Sequence, residues 1–253
     1  MVRKTVKIVG GGKMKTIITI LAMLGGNCFA AERVVESEAS KAAAVQVETG
    51  SGRIRLEAAA VDRVTAVVTG EFDEEKCELT STERGGRLTL TLKGRRRYFW
   101  ADADCRAGFD IKAPPATLLS VKTGSGGVEV GAFTSGAEIT SGAGAVKFDG
   151  LSGPVRLASG AGSVSGRIYS EYFSAMSGAG TLSLDWTKAP VKGEASVKSG
   201  AGAVRLGFPA GSRLKVNCRS GAGSVNNEIG SDPSAPFSLD VKSGAGSVEL
   251  RRS

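Results

Sequence analysis

Ser-Gly-Ala-Gly, or a close relative of it, recurs eight times in this chain, opening at Thr49, Thr123, Ser141, Ser159, Ser177, Ser199, Ser220 and Ser243. One small residue or Arg follows each copy. An aliphatic residue comes next: Ile54, Val128, Val146, Val164, Leu182, Val204, Val225 and Val248. From Gly124 onward the first glycines stand 18, 18, 18, 22, 21 and 23 residues apart. A period near 20 marks stacked repeats, each too small to bury its apolar face except against its neighbours.

The sequence between the copies says what is stacked. No window after residue 30 keeps a helical period, and short alternating runs bounded by glycine dominate, which predicts an all-β chain. Each copy reads as two strands, one before the glycines (Pro154-Val155-Arg156-Leu157) and one after (Ala145-Val146-Lys147-Phe148). Side chains alternate along a strand. The inward pairs are therefore Val128 with Val130, Val146 with Phe148, Leu182 with Leu184, Val204 with Leu206 and Val248 with Leu250. The outward column reads Glu129, Lys147, Ser165, Ser183, Arg205, Asn226, Glu249, polar and mixed in sign. Two copies are weaker, with Gly166 and Asn227 in place of the second apolar residue. The pattern predicts a single-stranded parallel β-helix (a β-solenoid) with about 18–23 residues per rung. Residues 31–118 form an irregular N-terminal β region that includes the first rung, and Pro114-Pro115 marks a break. Residues 119–253 form the regular rungs.

The glycines are expected at the corners. The set is Gly50, Gly52, Gly124, Gly126, Gly142, Gly144, Gly160, Gly162, Gly178, Gly180, Gly200, Gly202, Gly221, Gly223, Gly244 and Gly246. A corner asks for φ > 0 and leaves no room for a Cβ against a neighbour about 4.8 Å away. The hydroxyl before each corner can bond nearby backbone or its equivalent one rung away.

The start of the chain reads differently. Lys13 and Lys15 lead into a short apolar run, Thr16 to Leu24, and then Cys28-Phe29-Ala30. This is the pattern of a signal peptide over residues 1–30, cleaved after Ala30, with Met14 as an alternative start. The run is about half the length that spans a bilayer. Five of the 33 basic residues leave with this segment and none of the 25 acidic ones, so the net charge falls from +8 to +3. Basicity therefore gives no ground for nucleic-acid binding. Export implies an oxidising compartment, periplasmic or outside the cell, so Cys77 and Cys105 are candidates for a disulfide. Cys218 falls in the inward column Val47, Val121, Ile139, Leu157, Ala175, Val197, Cys218, Val241, three residues before each first glycine. It reads as a small core residue.

A family resemblance now stands on particular residues. After the signal peptide comes Val47-Glu-Thr-Gly-Ser-Gly-Arg-Ile-Arg-Leu56, followed by a Cys-containing strand region. Ile111-Lys-Ala-Pro114 leads into Val121-Lys-Thr-Gly-Ser-Gly-Gly-Val-Glu-Val130 and the further copies. The chain resembles the bacterial "putative adhesin" family of toast-rack β-solenoids, over essentially residues 40 to 250. The resemblance implies a parallel β-helix outside the cytoplasm and brings no catalytic residues with it. Unlike adhesins that display themselves, the sequence up to Arg251-Arg-Ser253 carries no membrane segment or sorting signal.

Composition removes several chemistries. The chain has no histidine, which excludes Ser-His-Asp and Cys-His catalysis and His-based zinc sites. No glycine copy is followed by the Lys-Ser/Thr pair and helix of a phosphate loop, nor by the Asp of a calcium roll. Acids cluster at Glu71, Asp73, Glu74, Glu75 and at Asp102, Asp104, within the irregular region, and read as solvated loops. No metal or cofactor is expected. The least ordinary stretch is Lys93-Gly-Arg-Arg-Arg-Tyr-Phe-Trp100, where Arg95, Arg96, Arg97, Tyr98 and Trp100 combine charge with stacking surface. Its plain reading is a hairpin end, and its functional reading is a grip on envelope glycan or anionic lipid. The last strand, Ser247 to Leu250, is expected to leave an open edge guarded by Arg251 and Arg252, where a partner or a second copy could dock end to end. The expected function is a non-enzymatic, adhesin-like or scaffold protein of the bacterial envelope. The alternatives are a carbohydrate-active β-helix enzyme and a ligand-sensing module of an envelope signalling system.

Overall fold

Alternating apolar residues need a surface to cover, and here each copy covers the next. The computed structural model describes residues 33–36, 42–98, 101–102 and 105–253. The signal-peptide segment, Trp100 and Asp104 lie outside the described residues. Every regular element among them is a strand. Two large sheets, of eleven and ten strands and mostly parallel, hold all but a two-stranded hairpin. The protein is thus all-β. The expected β-helix is met at the level of two facing sheets of stacked parallel strands.

Each copy gives one strand to each sheet. The strands before the corners form the ten-stranded sheet: Ala44–Thr49, Leu118–Thr123, Ala137–Ser141, Val155–Ser159, Tyr172–Ser177, Gly193–Ala201, Lys215–Ala222 and Phe237–Ala245 for copies 1 to 8. The strands after the corners enter the other sheet: Ile54–Ala58, Val128–Val130, Val146–Ser152, Val164–Tyr169, Leu182–Trp186, Val204–Phe208, Val225–Asn227 and Val248–Arg252. Equivalent residues lie in register, as in Val121 beside Val47 and Ile139. The inward columns of both sheets merge into one core. Within it, Trp186 stacks on Phe208 (centroids 4.4 Å apart) and meets Phe173 edge-on at 5.4 Å. The indole N–H of Trp186 donates to Ser170 O at 3.0 Å, so this buried polar group is satisfied.

Stacking order departs from sequence order at both ends. Copy 1 sits between copy 2 and a layer made of Arg87–Gly94 and Gly108–Ala113. Antiparallel strands Cys77–Arg84, Thr65–Thr69 and Arg33–Glu36 then finish that end. At the other end copy 8 lies between copies 6 and 7 in both sheets. Val248 is paired with Val204 on one side and Val225 on the other. The expectation that Ser247 to Leu250 forms the open edge is therefore corrected: the edge is copy 7.

The reason lies in the inward residues. Copy 8 offers Phe237, Leu239, Val241, Val248 and Leu250, none more than 1% exposed. Copy 7 offers Val216, Cys218, Val225 and Asn227. An end layer is covered on one side only, and burying a large aliphatic side chain contributes roughly 1.5–3 kcal/mol. The apolar copy takes the covered place and the polar one the end, where Val225 is 43% exposed. Spacings of 21 and 23 residues around copy 7 give the chain length to step past one layer and return.

The weak position at Gly166 has a different cause. A Cβ there would run into the Phe148 carbonyl, and its φ is +135°. Phe148, its register partner, is buried, and a bulge at Asp149/Leu151 lets Ile168 take the next core position.

Candidate functional site

The repeat motif is consumed by structure. A Cβ on Gly144, Gly162 or Gly180 would collide with the carbonyl of Gly126, Gly144 or Gly162, one copy back. Gly126, Gly142, Gly160, Gly178, Gly200, Gly221 and Gly244 likewise face a carbonyl of the adjacent copy, and Gly124 and Gly52 face Gly50 and Ala107. Gly50 alone of the corner set meets nothing within 4 Å. Positive φ is confined to Gly202, Gly223 and Gly246 within this set. Close approach of backbone, more than left-handed conformation, is what these positions require.

The polar groups at the corners are bonded internally. Gly142 N–H donates to Thr123 O at 3.0 Å, Ala143 N–H to Gly124 O at 2.8 Å, and Ala161 N–H to Gly142 O at 2.9 Å. The buried hydroxyls donate within their own corners, Ser141 to Gly144 O at 2.9 Å and Ser159 to Gly162 O at 3.0 Å. Thr49 and Thr123 also approach each other at 3.3 Å. Amides that would cradle an anion in a nest are committed to the neighbouring copy.

Cys77 and Cys105 form a disulfide with Cα atoms 5.3 Å apart. In the chain-entropy model a loop of this size contributes roughly 3–4 kcal/mol. Cys77 pairs with Gly94 across the strands, so the bond ties together the two ends of the 95–104 excursion. Arg95 is exposed and tied back at this base: its N–H donates to Lys76 O at 2.6 Å and its Nε–H to Cys77 O at 3.2 Å. Arg96, Arg97 and Tyr98 lie on one strand of a small antiparallel hairpin, Arg96–Tyr98 against Ala101–Asp102. Arg95 thus stands at the base, and Arg96, Arg97 and Tyr98 on one strand, of a hairpin springing from the layer next to the antiparallel end.

Cys218 occupies its expected column beside Val241 but is only half-buried, because copy 7 is the edge. Desolvation, with the charge of Asp240 adding to it, raises its thiol to about 11. At pH 8 the thiolate is then on the order of a hundredfold scarcer than in an ordinary cysteine. Folding should therefore favour the protonated thiol, a preference complete below the unfolded-state pKa and lost as pH rises through about 11. We expect iodoacetamide to modify Cys218 far more slowly than a denatured control at pH 8, with the difference narrowing above pH 10.

Of the acids in the irregular region, Asp73 is tied into its own turn. Asp73 accepts the Glu75 N–H at 2.9 Å and pairs with Lys76 at 3.4 Å. The Glu75 hydrogen bond and then Lys76 hold its carboxyl below the usual range, the opposite of a poised general acid. Among the described residues no three His, Cys, Asp or Glu side chains are placed to hold a metal ion. No helix among them is long and apolar enough to cross a membrane.

What remains exposed is the outer face of each sheet. On the eleven-stranded sheet charges alternate from copy to copy: Arg55 with Glu129, Asp149 with Arg167, Arg205 with Glu249 at 3.4 Å. Arg251 reaches across Gly207 to Asp185 at 2.8 Å, through space that a Cβ would fill. On the ten-stranded sheet a shallow groove of about 590 Å³ is lined by Glu138, Arg156, Tyr172, Ser174, Met176 and Ser196. Tyr172 and Met176 are 53% and 56% exposed. Beyond them lie Lys198, Lys242 and Arg219. Sequence reasoning missed this face. The signal was present two residues before each first glycine, where the column ends on Lys198, Arg219 and Lys242.

No family model matches the chain, and no curated protein matches it. Among solved structures, a "putative cell adhesion protein" from Clostridium sporogenes ATCC 15579 aligns over 88% of this chain and 99% of its own, at 12% identity and a TM-score of 0.46. A "Putative lipid binding protein" from Parabacteroides distasonis ATCC 8503 aligns over 88% and 96%, at 16% identity and a TM-score of 0.42.

Proposed function

We propose that this chain is an exported, non-enzymatic β-solenoid of the toast-rack adhesin type, a binding or scaffold protein of the bacterial envelope. The observation that carries the reading is the fate of the repeat. Its amides and glycines hold one copy to the next and most of its hydroxyls close their own corners, which leaves the two outer faces and the ends to meet other molecules. A rigid two-sheet stack presents such faces without chemistry of its own. The Cys77–Cys105 bond suits an oxidising compartment. The test is retention on envelope. Purified protein should cosediment saturably with isolated envelope of the producing cells and release no reducing ends from acidic polysaccharides. Measured turnover, or no retention on any envelope fraction, overturns the reading.

A further inference from the structure

Along the parallel ladders, directly opposed charges have opposite signs almost throughout. Arg55 faces Asp110 and Glu129, and Glu129 faces Lys147. Glu138 faces Arg156, Arg167 faces Asp149 and Asp185, and Glu48 faces Lys122. The exception is one column of the ten-stranded sheet, where Lys198 faces Lys242 and Lys242 faces Arg219. All three side chains are exposed. Neighbouring strands are about 4.8 Å apart, so these are like charges set at the closest spacing a sheet allows, which is unfavourable in the free protein.

The column exists because copy 8 inserts between copies 6 and 7. Among the described residues the one carboxylate paired with this row is Asp240, shared between Lys242 at 2.8 Å and the Asn217 amide at 2.9 Å. Lys198 and Arg219 have no acidic partner among the described residues, and Lys215 adds a further exposed cation on the same face. Followed back along the stack, the same column continues as Met176 and Ala158, beside Tyr172 and Arg156. A straight row of cations thus runs into a shallow groove with one exposed aromatic ring.

We infer that the outer face of the ten-stranded sheet binds a linear acidic polysaccharide along the stack, its carboxylates on Lys198, Lys242 and Arg219 and its sugar faces on Met176 and Tyr172. This rests on the envelope-binding reading and names its ligand class. A uronic-acid chain carries a carboxylate on every sugar, so an extended chain lying along the stack can bring several negative charges to the row at once, where a compact anion would meet one or two of the cations. Single-stranded nucleic acid suits the site less well, because it asks for an aromatic at each successive base and this face offers one.

The experiment measures binding of the purified protein to polygalacturonate, with dextran, single-stranded DNA and phosphatidylglycerol vesicles as the other arms. We expect salt-sensitive binding to polygalacturonate, weaker binding to the other three, and at least about a tenfold loss in the Lys198→Gln/Lys242→Gln/Arg219→Gln variant. Tyr172→Ala should weaken it further without changing the salt dependence. All four side chains are exposed, so circular dichroism should report unchanged folding. Equal binding by the triple variant, stronger binding to DNA or vesicles, or no binding to polygalacturonate overturns the assignment. Each of these leaves the wider reading standing if the protein still cosediments with envelope, so the two failures are told apart.

Discussion

Gly162→Val should cost about 3 kcal/mol or more, while Gly50→Ala should change stability by less than about 0.5 kcal/mol. Both glycines belong to the same motif, and sequence ranks them alike. At Gly162 a Cβ runs into the carbonyl of Gly144, whose flanking residues are bonded to the copies on either side, Ala143 N–H to Gly124 O and Val146 N–H to Ser163 O. The obstacle is main chain, so no rotamer change relieves it. The Gly180 position repeats the collision one copy on, and a shift that opened one corner would disturb the next. At Gly50 there is nothing within 4 Å and the backbone is not left-handed. For a chain of this size each kcal/mol moves the midpoint by roughly 2–4 °C, so thermal unfolding should separate the two by at least about 5 °C. Equal losses would remove the close-approach account of the corners.

The second large effect tests stacking order. Leu239→Ala with Leu250→Ala in copy 8 should cost about 5 kcal/mol or more, since each buried Leu→Ala change costs roughly 2–5 kcal/mol. Both leucines have no exposed surface. Val216→Ala with Val225→Ala in copy 7 should together cost less than about 1.5 kcal/mol, because these side chains are only partly covered and the layer beyond them is absent. If copies stacked in sequence order, copy 8 would be the end layer and the ranking would reverse. Urea unfolding of the two double variants therefore decides between the orders. A loss of 5 kcal/mol is comparable with the whole stability of many domains, and failure of the copy 8 variant to fold at all would agree with the prediction.

Much of the fold could be read from spacing. The inward columns follow from alternation, and Val47, Val121, Ile139 and Leu157 lie where the column places them, each nearly or fully buried. Most hydroxyls before the corners, such as those of Ser141 and Ser159, are buried and bonded to backbone for the reason their chemistry suggests. Two things escaped. Positive φ was expected generally at the corners and is found at three positions, because a corner can be turned by close packing as well as by left-handed backbone. The open end was assigned to copy 8 because it comes last, although Asn227 already marked copy 7 as the poorer core layer. The candidate surface at Arg95 drew attention because its charges are contiguous in sequence. The row at Lys198, Lys242 and Arg219 is contiguous only in space.

The sequence by itself determined what each copy is: two short strands, a glycine corner, an inward face and an outward one. That information is local, carried by alternation and by side-chain size, and it repeats often enough to be read from one chain. Only the tertiary structure decided which copy lies beside which. That choice compares whole layers, setting the apolar face of copy 8 against the polar face of copy 7. It is made by the burial each gains when covered on both sides. Partnerships across layers follow from it, from Arg205 with Glu249 to the three adjacent cations.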